Sequence, residues 1–469
     1  MPQSSSTEGL VSALRATARA MAAGDQLPST RELIARHGVS PVTVSRALAL
    51  LSAEGVVVTR PGSGTYVSPR PTRRPARSDL SWQTAALGDR TVDSASVEFL
   101  LQPEAPERIS LAGGYPHPVL LATRALSAAL ARAARRPDAA ERPPLEGLSA
   151  LRGWFARSVG GSVTAKDVLI TSGAQAALST AFRAIAPAGA TVLLESPTYI
   201  GALAVARGAR LRAMPVPVDH DGVRPDLLAE AFAATGARVF YCQPTFQNPT
   251  GSVLSVERRR AVLAIARDAG AFVIEDDFAR WLAHRAAAPP PLVADDRDAH
   301  VVHIASLTKA TSPNLRVGAL VARGPVAERL RALRVIDDFF VPRPMQEAAL
   351  ELVSAPAWPR HLKTLGAALL ERRNALIDAL SRHVPDARLT SVPSGGLNLW
   401  LSLPDGIDEV ALAGQAQTAG VLISPGRPYY AAEPPGPHIR LSFAATPGVA
   451  QLDDGARRLA NALNALQTR

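Results

Sequence analysis

The chain has 469 residues, 47% of them hydrophobic, which is too long for one ordinary core and long enough for two or three domains. A single cysteine, Cys242, excludes an internal disulfide framework, and no apolar run reaches the roughly 20 residues of a membrane span or follows a secretory pattern, so no membrane partner and a cytoplasmic location are expected. Lysine plus arginine number 51 against 41 aspartate plus glutamate, a formal charge of +10, and half of that excess lies in the first eighty residues, which favours a polyanionic partner.

In chain order, Leu10 to Ala23 reads as an alanine-rich amphipathic helix, broken by Gly24-Asp25-Gln26. Ser29 is placed to cap a second helix, with Glu32 three residues on completing a capping box, and Gly38 ends that helix after His37. Ser40-Pro41 supplies an N-cap followed by proline at the first helical position, and a third helix runs to Glu54. Val56-Val57-Val58 and Thr65-Tyr66-Val67 read as short strands joined by a turn at Pro61-Gly62-Ser63-Gly64, which makes a wing. Pro69 to Pro75 is proline- and arginine-rich and is expected to be an extended basic linker.

Beyond roughly Glu107, apolar runs alternate with helical segments. Val168 to Thr171, Val192 to Glu195, Val239 to Gln243, Phe272 to Asp276 and Val301 to Ser306 read as buried, mostly parallel strands, and ligands in such sheets bind outside the carboxyl ends of the strands. From roughly Pro342, long helical stretches with Leu397 to Leu401 and Ile439 to Phe443 suggest a smaller α+β lobe. The expected domains are residues 1–68, a linker over 69–106, and 107–469, the last divided into a large lobe to about 341 and a small lobe from about 342.

The segment from Leu27 through Glu54-Gly55 resembles the GntR-type winged helix. A third helix of that kind enters the major groove by its N-terminal residues while the wing lies along phosphates or in the minor groove. Arg31, Ser40, Thr43, Arg46, Arg60 and Ser63 are the expected contacts to a double-stranded DNA operator. Many members carry an arginine after the serine that opens the helix, and this chain has Pro41.

Of three lysines, Lys166 and Lys363 read as surface charges, whereas Lys309 has hydroxyls at Ser306 and Thr308 and Arg316 seven residues on, the set a lysine needs beside a phosphate clamp. Together with Thr171-Ser172-Gly173-Ala174-Gln175, Asn248-Pro249-Thr250-Gly251, Asp276 and Arg440, the region from about 107 onward resembles the fold-type I aminotransferases, which use pyridoxal 5'-phosphate. The resemblance implies that Lys309 binds the cofactor's aldehyde. It also implies that Gly173, Ala174, Gln175, Ser306, Thr308 and Arg316 hold the phosphate, and that Asp276, or else Asp277, keeps the ring nitrogen protonated. Asn248 would donate to the phenolic oxygen, Tyr199 would stack on the ring, and Arg440 would grip a substrate or effector carboxylate. Two positions depart from the family: Phe278 stands where a tyrosine usually donates to the phenolic oxygen, and Arg142 where a tyrosine often reaches the neighbouring subunit's phosphate.

A GntR-type winged helix joined to such a domain resembles the MocR family of transcriptional regulators. The implied protein is a head-to-tail homodimer whose operator binding responds to pyridoxal phosphate or to a small amine or amino-acid effector, with at most residual transamination. An active aminotransferase with an accessory winged helix is the alternative. No metal is implied.

Overall fold

The computed structural model describes residues 4–60, 62–69, 79–87 and 107–467. The chain divides into two compact units, Met1–Arg90 and Thr91–Arg469. Most of the expected linker, residues 70–78 and 88–106, lies outside the described residues, as does Pro61 of the expected wing turn. Between the two linker pieces, Ser81–Leu87 is a short helix.

The first unit contains α1 (Ser4–Ala20), α2 (Thr30–His37), α3 (Pro41–Ala53), β1 (Val57–Arg60) and β2 (Gly64–Val67). Its local sequence determines most of its boundaries. Ser29 Oγ accepts the Glu32 N–H while the Glu32 carboxylate accepts the Ser29 N–H at 2.8 Å, and Gly38 closes α2 at φ 62°, a left-handed conformation suited to glycine. Ser40 caps α3 with Pro41 just inside, and β1 and β2 pair antiparallel from Val57↔Val67 to Arg60↔Gly64. Leu10, Leu14, Leu33, Val44, Ala47, Leu51, Val57 and Val67 meet in one small core. Two features depart from expectation. The first helix starts earlier, at Ser4, and Gln26-Leu27 adds to the wing, with Gln26 bridging Tyr66 and the Leu27 N–H donating to Thr65 O at 2.8 Å.

The second unit begins with β3 (Ile109–Ser110) and is organised on an eight-stranded sheet. Its strands are β4 (Val168–Thr171), β5 (Thr191–Ser196), β6 (Arg212–Asp219), β7 (Gly222–Val223), β8 (Val239–Cys242), β9 (Phe272–Asp277), β10 (Val301–Ser306) and β11 (Gly318–Val321), in spatial order β4-β11-β10-β9-β8-β5-β6-β7. The block from β10 to β6 is parallel, so the strand ends at Ser306, Asp277, Cys242 and Ser196 share one edge. β11 runs antiparallel to both neighbours. The near-continuous burial of β4, β8, β9 and β10 explains why they read as unbroken apolar runs: helices cover both faces. β6 alternates in burial and had no such signal.

A second, four-stranded sheet joins β12 (Arg388–Leu389), β13 (Asn398–Ser402), β15 (Ser424–Pro425) and β16 (His438–Ser442), with β14 (Val421–Leu422) beside it. The helix Ala357–His383 packs along the helix Val449–Gln467 behind this lobe. β3 pairs in parallel with β14, so residues near 109 belong with the C-terminal lobe rather than with the large lobe expected from the sequence. A two-residue strand has no periodicity of its own, and only its distant partner defines it. Among the described residues no helix is long and apolar enough to cross a membrane.

Candidate functional site

Asp276 and Lys309 lie at the carboxyl ends of β9 and β10 and Asn248 follows β8, whereas Gly173 to Gln175 follow β4, Tyr199 follows β5, Arg316 precedes β11 and Arg440 lies on β16. Lys309 follows β10 directly, and its Nζ donates to Gly114 O at 2.6 Å and lies 3.5 Å from the centroid of the Tyr115 ring. Burial pushes the lysine amine down to about 7, with the nearby charges of Arg440 and Arg316 adding to the effect and Asp276 opposing it. A lysine at that value is about half unprotonated near neutral pH, which makes it available as a nucleophile.

Asp276 lies near the end of β9 and is buried. Its Oδ2 accepts from Tyr241 OH at 2.8 Å and from Gln243 Nε2 at 2.9 Å, while Oδ1 has no protein partner. Burial raises its carboxyl to about 6 against the pull of those two donors. Asp277, one residue on and therefore on the opposite face, is ion-paired with Arg280. Gln243 also accepts the Asn248 N–H on Oε1 at 3.0 Å, and its own N–H donates to Glu195 at 2.9 Å. Gln243 thus ties Asp276 to Asn248. Burial pushes Glu195 up to about 7.

Arg440, on β16, is buried. It donates to Asn248 Oδ1 at 3.3 Å and to Ala112 O, its guanidinium carbon lies 5.5 Å from the Tyr429 ring centroid, and its Nε is unpartnered. Gly173 is the N-cap of the helix Ala174–Ile185 at φ 86°, and a Cβ there would meet the Arg316 guanidinium at 2.8 Å. Arg316 in turn donates to Ser172 O at 2.8 Å. The Thr308 N–H donates to Ser306 Oγ at 3.2 Å, and Thr308 Oγ1 is buried without a partner. Tyr199 OH donates to Gln175 Oε1 at 3.0 Å, and Gln175 Nε2 donates to Gly201 O at 3.3 Å. Phe278 packs against the main core, and Arg142 is exposed.

The expected DNA-facing residues lie in the first unit. Ser40 Oγ accepts the Thr43 N–H at 3.2 Å and sits 2.9 Å from Thr43 Oγ1, so both hydroxyls serve the start of α3. On the wing, Ser63 Oγ is 2.7 Å from Tyr66 OH, and the Arg60 guanidinium carbon lies 4.9 Å from the Tyr66 ring centroid. Arg31 on α2 and Arg46 on α3 are exposed.

Gly114, Tyr115, Tyr241, Gln243 and Tyr429 are not among the site residues expected from the sequence. Gln243 and Tyr241 had a usable signal, because they lie at the carboxyl end of a buried parallel strand, where such folds place ligand contacts. Tyr115 sits in an irregular segment and Tyr429 at the end of a single 3-10 turn, Arg427–Tyr429, and both reach the site through tertiary folding.

Comparison with known proteins places both units. Residues 112–459 match the model of the aminotransferase class I and II family, and residues 11–67 match that of the bacterial regulatory proteins of the gntR family. The HTH-type transcriptional regulator TauR of Rhodobacter capsulatus is 30% identical over 458 residues, covering 94% of this chain and 92% of that protein. The 2-aminoadipate transaminase of Thermus thermophilus is 32% identical over 396 residues, covering 82% of this chain and 98% of the enzyme. Among solved structures, LysN, the α-aminoadipate aminotransferase of Thermus thermophilus in complex with N-(5'-phosphopyridoxyl)-L-leucine, superposes with a TM-score of 0.77 at 31% identity over 83% of this chain and all of that one.

Proposed function

Because the chain belongs to the MocR-type regulators, a gntR-family winged helix fused to a class I and II aminotransferase domain, we propose that its affinity for a DNA operator is set by what occupies a pyridoxal-phosphate pocket around Lys309. The observation that carries this reading is that the chain bearing the winged helix also keeps, around Lys309, buried polar atoms that lack protein partners: Asp276 Oδ1, Thr308 Oγ1 and Arg440 Nε. Buried polar atoms are rarely left unpaired without a reason, and each of these matches a group of the cofactor or of an amino acid.

The residues fit that cofactor. Lys309 would hold its aldehyde, and Asp276 Oδ1 would accept the ring-nitrogen proton. Asn248 would face the phenolic oxygen and Tyr199 the ring. The phosphate would lie at the helix start of Gly173, Ala174 and Gln175, with Ser306, Thr308 and Arg316 around it, a place where backbone N–H groups and the helix dipole favour an anion. The cradle suits it, since any side chain at Gly173 would collide with Arg316. When bound, the cofactor supplies an aldehyde and an electron-accepting ring to an incoming amine. Arg440 would take the carboxylate of that amine with two parallel hydrogen bonds, giving up Asn248 and Ala112 O.

Control of DNA binding follows if the occupant prefers one of two DNA-binding states. Two copies arranged head to tail in the cytoplasm would present two winged helices to repeated half-sites. The test is fluorescence anisotropy on DNA from upstream of the protein's own gene, with and without pyridoxal phosphate and an amino acid, at fixed salt. Sequence-specific binding that shifts with cofactor, and stops shifting in Lys309→Ala, is the expected result; binding indifferent to both would overturn the reading.

An active transaminase is the second reading, favoured by the retained Lys309, Asp276, Asn248 and Arg440. Phe278 counts against it, because the phenolic oxygen would lose a donor. Turnover on the order of 1 per second or faster, abolished in Lys309→Ala, would put catalysis first.

A further inference from the structure

The first turn of α3 offers a partner little to hydrogen-bond with. Val44, Ala47 and Leu51 are fully buried, which turns positions 42, 45, 46 and 49 outward as one exposed stripe. Pro41 has no N–H. The Ser40 and Thr43 hydroxyls are 2.9 Å apart and serve the helix cap. What remains at the tip is the Pro41 ring and the two methyl groups of Val42, a residue 62% exposed, with the exposed Ser45 hydroxyl further along the stripe beside Arg46. Arg46, one turn further, is the only ionisable residue of the helix. An apolar tip on a basic winged helix suits one feature of the major groove, the C5 methyl group that thymine alone displays there.

Resting on the reading of the chain as a DNA-binding regulator, we propose that α3 recognises thymine by methyl contact, with Val42 packed on a thymine C5 methyl in each half-site. Arg46 then falls about 6 Å along the helix from Val42, or about two base pairs of duplex at roughly 3.4 Å each. The proline in place of an arginine at position 41 belongs to the same design: the tip reads shape and methyl groups rather than donors and acceptors. The contact desolvates about one methyl group on each side, so its effect is modest and requires a methyl-specific measurement.

The experiment uses the full-length protein and duplexes selected by it from a random-core pool at fixed salt. Each thymine of the selected site is replaced in turn by deoxyuridine, which removes the methyl group and leaves every hydrogen-bonding atom in place. Affinity is expected to fall about fourfold at one thymine of each half-site and to stay unchanged at the others. Val42→Ala should weaken binding to the thymine duplex by a similar factor and become blind to that one replacement. 5-Methylcytosine paired with guanine at the same position should bind better than plain cytosine. Val42 lies on the surface, so an unchanged unfolding midpoint of the winged-helix transition serves as the check that the variant is intact. If deoxyuridine is neutral everywhere, or Val42→Ala keeps its sensitivity, the methyl contact is wrong while the regulator reading stands. If no sequence is enriched at all, the regulator reading falls and the methyl contact falls with it.

Discussion

The winged helix and the pocket around Lys309 use polar side chains in opposite ways. In the winged helix they lie at the surface: Ser29 with Glu32, Ser40 with Thr43 and Ser63 with Tyr66 bond within a few residues, while Arg15 pairs with Glu54 and Gln26 donates to Ser63 O across 39 and 37 residues. In the pocket they are buried and bond across the fold. Asp276 takes donors 35 and 33 residues away, Lys309 reaches Gly114 across 195 residues, and Arg440 reaches Asn248 across 192. The first set closes its own hydrogen bonds at helix starts and on the wing; the second leaves Asp276 Oδ1, Thr308 Oγ1 and Arg440 Nε unpaired. An unsatisfied buried polar atom costs about 1–3 kcal/mol, a cost that a ligand with matching groups relieves. Among these residues, closure on a surface neighbour marks scaffold, and the buried atoms left unpaired around Lys309 mark where a ligand would bind.

The most severe break of that contrast is Lys309→Ala. The variant is expected to lose all covalent retention of pyridoxal phosphate, so that gel filtration strips it while the wild type keeps its absorbance band. Next comes the phosphate cradle. Arg316→Ala is expected to weaken cofactor binding by about 10- to 100-fold, as a lost charged hydrogen bond does, and Arg440→Ala by less. The reverse order in a cofactor titration would mean that the two arginines have exchanged roles.

Gln243→Leu sharpens the comparison, because it removes no expected cofactor contact. It takes one donor from Asp276 and leaves the Asn248 N–H unpaired, so cofactor affinity should fall about tenfold. Losing that donor should also raise the Asp276 carboxyl further above its value of about 6. Gln243→Glu would distinguish positioning from packing: it restores the shape but replaces the donor with a second carboxyl group. It should shift the pH dependence of the cofactor spectrum, which a simple packing defect would not do.

A pH series tests the buried carboxyl groups together. Asp276 and Glu195 titrate at about 6 and about 7 in the folded, cofactor-free protein, above their ordinary values. Raised folded-state values mean that their stabilising contribution is complete in acid, below the ordinary carboxylate range. It is lost as pH climbs through about 6 for Asp276 and about 7 for Glu195. The melting temperature of the cofactor-free protein should decline over that window. Cofactor loading should remove the Asp276 part and leave the Glu195 part. An identical decline with and without cofactor would detach Asp276 from the ring nitrogen.

How much of this was legible in the sequence follows the same division. Ser29, Gly38, Ser40 and Pro41 announce their helix ends because cap chemistry is local, and the buried parallel strands announce themselves as apolar runs. Lys309 and its neighbours form a short, dense signature, so the segments that the fold brings close to Lys309 could be named from the sequence. The antiparallel β11 and the two-residue β3 could not, because their pairing is decided by partners elsewhere in the chain. Tyr115 over Lys309, and Tyr429 under Arg440, have no local signal for the same reason. Gln247, adjacent to the signature Asn248-Pro249, donates to Pro197 O at 2.6 Å and accepts from Thr250, a scaffold role that the motif alone does not disclose.

The smallest expected effect lies in the winged helix and tests the claim that its polar contacts are scaffold. Ser29→Ala removes the side-chain half of the capping box but not the Glu32 carboxylate that accepts the Ser29 N–H. N-cap removal costs about 1 kcal/mol, and the bond that remains keeps the effect near or below that value. Ser29 is exposed, so no cavity forms and no buried charge is stranded. The loss should appear as a lower unfolding midpoint of the winged-helix transition, while the cofactor spectrum and the melting of the larger unit stay unchanged. DNA affinity at low temperature should also hold, since the cap sets the stability of α2 rather than its chemistry. A fall in DNA affinity greater than the loss of stability would show that Ser29 faces the duplex, and the rule that separates local closure from binding would then fail in the unit where it looks simplest.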